Sequence, residues 1–169
     1  MAGVNATIDV EIRAKQTGAA GLGTPNFLID LAKSMEFSPG TASIGQANVL
    51  YTAERTLAAS ANENLDLAGA LTDAFGATIA AAEVVAIYIE AAAGNTNNVQ
   101  VTRPASNGVP LFLAAGDGIA LGPGDCFLLT NRAGVAVTAG TGDLINVANS
   151  AGGTGVTYKV VVIGRTVAA

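Results

Sequence analysis

The chain contains no histidine and no tryptophan, has one cysteine, and carries charge on only 12% of its residues. Without histidine there can be no Ser-His-Asp triad, no Cys-His pair, no imidazole metal site, and none of the most common general base. A lone Cys126 excludes an intrachain disulfide, and within the apolar run "CFLL" it reads as a small buried hydrophobe. The three lysines and five arginines are scattered along the chain. They form no phosphate-neutralising cluster, so no nucleic-acid partner is expected. Long apolar runs are missing as well. The longest in the strand-like middle is "VVAIYI" at 84–89, far short of the ~18–20 residues that cross a bilayer. Asp9 and Glu11 interrupt any apolar core of a secretory leader. The expectation is a soluble chain made in the cytoplasm, with no membrane contact.

Half of the residues are apolar and the net charge is −5. With so few charges, the surface must be built of small polar residues or be covered by other chains, which points to an oligomer. The 169 residues fit one domain, and a chain of that size buries about 68–70% of its unfolded surface without needing metals or disulfides.

The pattern that is present is that of strands. Ala6, Ile8, Val10, Ile12 and Ala14 alternate with Thr7, Asp9, Glu11, Arg13 and Lys15, which predicts a half-buried strand with one wet face. "TGAAGLGTP" (17–25) is a Gly-rich connection. "NFLIDLAKSMEF" reads as a strand with Phe27, Ile29 and Leu31 on one face, and 38–48 reads as a loop. Strands follow at 49–59 and 63–69. Residues 70–83 are the one place for a short helix or helical turn, favoured by alanine and opposed by Gly76, Thr78 and Ile79. "VVAIYIEA" is apolar on both faces and predicts a central strand covered on both sides. "GNTNN" would turn it into a hairpin with "VQVTR". "VPLFLAA", "IALGPGDCFLLT", "GVAVT", "DLINVA" and "VTYKVVVIG" complete the set. Many short strands separated by turns indicate an all-β sandwich or barrel. Charges number eleven in residues 1–66 and six in 104–169. The packed heart is therefore expected in the C-terminal half, and the N-terminal third as an arm or outer sheet.

Little in the chain carries chemistry. Asp66, Asp73, Asp117, Asp125 and Asp143 are the candidate carboxylates, and all but Asp66 lie in or beside turn-like segments such as "AGDG", "GPGD" and "GTGD". There aspartate ordinarily bonds its own backbone. "AGDGIALGPGD" lacks the alternating acids and terminal Glu of a calcium loop. "GAAGLG" lacks the Lys-Ser/Thr of a phosphate loop. Tyr51 and Arg55, four apart on a strand, share a face and read as a stacked structural pair. Phe112 and Phe127 lie in apolar strands and read as core. No catalytic residue, cofactor or metal ligand is expected.

Three segments, taken in order, resemble the small capsid decoration (cement) proteins of tailed bacteriophages. They are "GQANVLYTAERTLAASANENLDLAGALTDAFGATI", "GNTNNVQVTRPASNGVPLFLAAGDGIAL" and "VTAGTGDLINVANSAGGTGVTYKVVVIG". The resemblance spans 45–164. It implies a jelly-roll-like β-sandwich that forms a homotrimer. The trimer would sit on the outer surface of the virion, at threefold and quasi-threefold positions of the expanded shell, with the major capsid protein as partner. On that reading 45–169 is the sandwich and trimerisation region. Residues 1–44 are N-terminal strands or an arm. Thr7, Asp9, Glu11, Arg13 and Lys15 are the candidate capsid contact, since polar contacts suit docking between preformed surfaces. The competing readings are a tail or baseplate β-sandwich that binds a receptor or carbohydrate, a tail-tube or head-completion protein, and an enzyme. The missing histidine and the lack of a pocket motif weigh against an enzyme.

Overall fold

The computed structural model describes residues 3–19, 21 and 23–169. Eleven strands and no helix occur among them. In chain order they are β1 (Ala6–Thr17), β2 (Asn26–Pro39), β3 (Gln46–Ala47), β4 (Val49–Leu57), β5 (Asn62–Asp66), β6 (Glu83–Ala91), β7 (Val99–Thr102), β8 (Gly118–Leu121), β9 (Cys126–Ala136), β10 (Leu144–Asn149) and β11 (Val156–Arg165). Two four-stranded antiparallel sheets, ordered β5-β10-β7-β8 and β4-β11-β6-β9, supply the inward faces of one apolar core. Alternation decides which residues enter it. Val156, Tyr158, Val160 and Val162 of β11 are buried, as are Ile145 and Val147 of β10 and Val99 and Val101 of β7. A fully buried aliphatic side chain contributes roughly 1.5–3 kcal/mol relative to exposure, which makes this layer the main source of stability.

β6 is interior in its sheet, between β11 and β9. Its core face is covered throughout by Val84, Ile87 and Ile89, while its outer face is covered only at Val85 and Ala86, which belong to a second cluster. Tyr88 and Glu90 further along that face are only partly buried, so the two-sided cover expected of the run holds for its first half. That second cluster lies under a third layer, the long hairpin β1–β2, to which β3 adds in parallel.

Four expectations are corrected. Residues 70–83 hold no helix. Asp73 Oδ1 accepts from the amides of Phe75 and Ala77, both at 2.9 Å. Gly76 takes φ +82°, and Thr72 bridges Thr78 across the turn. The aspartate's local bonds and the left-handed glycine outcompete the alanines. The strand β7 is no hairpin partner of β6: β6 sits in one sheet and β7 in the other, so "GNTNN" carries the chain across the sandwich. "VPLFLAA" is a run of turns. Pro110 offers no amide to a ladder, and the Arg103 guanidinium takes up the carbonyls of Phe112 and Leu113 at 3.1 and 3.0 Å. Finally, β1 is half-buried only up to Val10, and Ile12 and Ala14 on its apolar face are exposed.

Candidate functional site

The hairpin β1–β2 pairs twelve residues against twelve in continuous register, from Ala6 opposite Phe37 to Thr17 opposite Asn26. Directly opposed residues of an antiparallel pair share a face. One face therefore carries Ala6, Phe37, Ile8, Met35, Val10, Lys33, Ile12, Leu31, Ala14, Ile29, Gln16 and Phe27 in register. The other carries Thr7, Asp9, Glu11, Arg13 and Lys15 with Glu36, Ser34, Ala32, Asp30 and Leu28. All five sequence-predicted contact residues thus lie together on one exposed face. Arg13 ties that face together, reaching Glu11 at 2.5 Å and Asp30 at 3.6 Å. With every partner this exposed, the pairs orient side chains more than they stabilise.

The apolar face divides in two. Near the base, Met35 and Phe37 are buried with Ala47, Val85, Ala86 and Ile163, and Ala6, Ile8 and Val10 pack against them. From residue 11 outward on β1, and back to residue 34 on β2, every residue of the two strands is exposed. Ile12, Leu31 and Phe27 are 55%, 61% and 63% exposed on the same face whose base is core. About seven residue pairs at ~3.4 Å each make this free part of the ribbon roughly 20–24 Å long. The Gly-rich connection closes its tip with a bond from the Gly18 amide to the Pro25 carbonyl, 2.9 Å. Ala20 and Leu22 of that connection lie outside the described residues.

The sandwich fixes the base of the ribbon. The Arg165 guanidinium is fully buried. It donates from Nε to Glu83 Oε2 at 3.0 Å and again from a terminal nitrogen to the same oxygen. It also donates to the carbonyls of Ser43 (3.1 Å), Arg132 (3.2 Å) and Ala133 (2.7 Å). The pairing of β6 with β9 is broken between Val84 and Ala86, and the extra β9 residues bulge to offer two of these carbonyls. Gly134 sits in the bulge at φ +95°, and a Cβ there would meet the Glu83 carboxyl at 2.7 Å. Nothing in the spacing of Glu83 and Arg165, 82 residues apart, announces this clasp.

Beside the ribbon, between the free edge of β1 and the outer face of the sheet below, runs a groove of about 310 Å³. It is lined by Thr7, Ile8 and Asp9 on the ribbon side, and by Ala86, Tyr88, Leu128, Val161 and Ile163 on the other. The Tyr88 hydroxyl donates to Glu90 at 2.6 Å. That bond keeps the tyrosine protonated to higher pH than usual and holds the Glu90 carboxyl below its ordinary range.

Cys126 corrects another expectation. It lies opposite Glu90 on the outer face of the sheet and is exposed, while the alternating Phe127 and Leu129 turn inward. Phe112 and Phe127 meet at 5.9 Å between ring centroids, and both are only partly buried.

The remaining candidate groups are tied into the scaffold. Arg55 and Tyr51 are joined by a hydrogen bond of 3.1 Å rather than a stack. Arg55 Nε donates to Glu63 at 2.9 Å and the Tyr158 hydroxyl donates to it at 2.8 Å, so β5 of one sheet is bonded to β4 and β11 of the other. The Arg55 bond pulls the Glu63 carboxyl below the usual carboxylate range, and burial together with Glu63 pushes the Tyr158 hydroxyl up. All five candidate aspartates accept a bond from a backbone amide two to four residues away. Asp66 takes Ala68, Asp117 takes Ala114, Asp125 takes Gly122 and Asp143 takes Gly140, beside the Asp73 turn already described. In "AAGD" and "GPGD" the third residue, Gly116 or Gly124, takes φ +87° or +83°, the requirement of a type II turn. Among the described residues no group of three or more His, Cys, Asp or Glu is placed to hold a metal ion.

Comparison with family models, with curated proteins and with solved structures finds no match to this chain.

Proposed function

We propose that this chain is a structural virion protein: a jelly-roll-like homotrimer that decorates the expanded icosahedral head of a tailed phage at its threefold and quasi-threefold positions. The ordered resemblance of 45–164 motivates the assignment. The observation that carries it on the structural side is the ribbon, a rigidly mounted hairpin with one polar and one apolar face standing off a sandwich. In this reading Thr7, Asp9, Glu11, Arg13 and Lys15 meet the major capsid protein. Their charges run from acidic near the sandwich to basic near the tip, a pattern that fixes orientation on a complementary surface. A protein that binds only the expanded lattice stabilises it by mass action, and three equal copies add weak contacts together.

Electron microscopy of virions carrying a labelled chain tests the assignment, with label expected over the head surface and not the tail. Reversing Glu11→Lys with Arg13→Glu should abolish addition to expanded heads that lack the chain, while leaving its circular dichroism unchanged. Label on the tail, or undiminished binding by the reversed variant, would overturn the shell assignment or the assigned contact face respectively.

The tail or baseplate reading has one feature in its favour. Phe75 is 89% exposed at the tip of the 73–77 turn, next to a groove that includes Asn48, Leu50 and Asp73. An exposed ring beside a largely apolar groove that offers Asn48, Asp73 and Thr166 as polar groups suits stacking on a sugar. A glycan-binding screen in which Phe75→Ala abolishes a signal would favour that reading.

A further inference from the structure

The polar face of the ribbon leaves its apolar face without an occupant, and we infer that the occupant is a second copy of this chain: the free half of one ribbon lies in the groove beside the base of the neighbour's ribbon. This rests on the oligomeric part of the proposed function and is independent of the shell.

Three observations choose this occupant. The first is continuity. The apolar face is one surface, in register from Ala6 to Phe27, and its base already rests on Val85, Ala86 and Ile163 of the outer sheet face. What covers the base is therefore a β-sheet surface of small aliphatic residues. The chemically matched cover for Ile12, Leu31, Ile29 and Phe27 is more of the same. Every copy carries such a surface unfilled, in the groove floored by Ala86, Tyr88, Leu128 and Val161. The second is strand geometry. β1 is the edge of its three-stranded layer, and the groove runs along that edge at Thr7, Ile8 and Asp9. An extended segment entering there meets unpaired backbone groups, the usual template for strand addition. The third is charge. The apolar face of the ribbon carries one charge, Lys33, and no carboxylate, although the chain as a whole is net −5. On the same outer face beyond Tyr88, Glu90 and Glu54 flank Lys159, which Glu90 meets at 3.7 Å, so that end of the groove is net acidic. Lys33 on the docking face and an acidic groove end match between copies.

A ribbon does not fill its own groove, because the groove flanks its base at Thr7, Ile8 and Asp9 and the free half begins beyond it, continuing the same hairpin in unbroken register. The contact is therefore head-to-tail, ribbon of one copy to groove of the next. Such a contact closes as a ring when the rotation permits, and a threefold ring is the closure that agrees with the proposed trimer.

The test is the mass of the isolated protein by analytical ultracentrifugation as a function of concentration. Wild type is expected to sediment as a closed oligomer at micromolar concentration. Leu31→Asp, on the exposed apolar face, and Leu128→Arg, in the groove, should each weaken assembly by about a hundredfold or more, the loss expected for a large apolar side chain replaced by a charge at a buried contact. Leu28→Asp, equally exposed but on the polar face, should leave assembly as in wild type. All three positions are surface positions, and unchanged circular dichroism confirms folding. Mixing Leu31→Asp with Leu128→Arg should restore one intact ribbon-to-groove contact and give a dimer that stops there. A monomeric wild type would overturn both this inference and the oligomer in the proposed function. An oligomeric wild type whose mass survives Leu31→Asp would overturn this inference alone. Loss on Leu31→Asp with no effect of Leu128→Arg would also overturn it, because the ribbons would then be packing on each other.

Discussion

Replacing Arg165 by methionine should destabilise the protein more than any other single surface-neutral change. The side chain has no exposure and makes five bonds, two to one oxygen of Glu83 and three to main-chain carbonyls. Methionine fills similar volume, so little of the loss is cavity. What remains is a carboxylate at Glu83 only about a tenth exposed along its side chain, with one further donor, the Ala169 amide at 3.2 Å. Breaking a buried ion pair by removing one partner costs about 3–5 kcal/mol, because the other charge stays uncompensated. For a domain of this size each kcal/mol lowers Tm by about 2–4 °C, so Tm should fall by about 6–20 °C. Urea unfolding followed by far-UV circular dichroism measures the same quantity. Adding Glu83→Leu removes the stranded charge, and the double variant should recover most of the loss. Arg165→Lys should remain well below wild type, since a single ammonium cannot span Glu83 and carbonyls from two segments. A loss under about 1 kcal/mol for Arg165→Met, or a double variant no better than the single, would refute the argument that an unpaired buried charge is the cause.

Three further outcomes follow from the geometry. The Glu63 carboxyl titrates below its unfolded value, so its bonds to Arg55 and Tyr158 contribute stability that is full above the unfolded carboxylate pKa of about 4.3 and is lost as pH falls through the lower folded value; acid titration of Tm should show this loss, and Glu63→Gln should flatten it. Cys126, exposed on the outer sheet face, should react with a thiol reagent in the native monomer about as fast as in denaturant, and slow labelling in a dissociated monomer would place β9 wrongly. Gly134→Ala puts a Cβ 2.7 Å from the Glu83 carboxyl at φ +95°, and should cost about 1–3 kcal/mol in the same urea assay.

Local periodicity made much of this fold legible, and long-range packing decided the rest. The alternation in "ATIDVEIRAK" and the double-sided apolar run of "VVAIYIEA" gave strands whose faces fall where the pattern puts them, because period two is a property of the strand itself. The same pattern could not say how far the sandwich extends beneath it. Ile8 and Ile12 are equivalent in sequence, yet one packs on Ile163's cluster and the other is exposed. Cys126 failed for a related reason: "CFLL" looks uniformly apolar, but within a strand only alternate members face the core. Residues 70–83 show local competition, in which alanine's helix preference of a few tenths of a kcal/mol per residue loses to Asp73's bonds and Gly76's turn. The turn role of the aspartates was legible because Asp, Gly and Pro carry their conformational preferences with them. The Glu83–Arg165 clasp was not, since a pair 82 residues apart leaves no periodic trace.

That clasp also bears on how the ribbon works. A two-stranded hairpin is marginal by itself, so a ribbon free over roughly half its length needs its base held. The Ser43 carbonyl bonded to Arg165 lies in the segment joining β2 to β3. On the far side Asn48 exchanges two bonds with Thr166, at 2.8 and 2.9 Å, immediately after β11, and the Ala47 carbonyl receives the amides of Val4 and Gly40. The entry to β1, the exit from β2 and the end of β11 are thereby joined at one point, while Phe37 and Met35 anchor the ribbon's underside. Direction is fixed at the base and side-chain identity at the tip, an arrangement in which a functional surface is held by a packed and bonded support. Arg165→Met should therefore loosen the ribbon before it unfolds the sandwich. Hydrogen exchange would register this as faster exchange in residues 6–17 and 26–39 at denaturant concentrations where β6 and β11 remain protected. Simultaneous loss of protection in the ribbon and in β6 would show instead that the clasp holds the sandwich itself and has no separate part in mounting the ribbon.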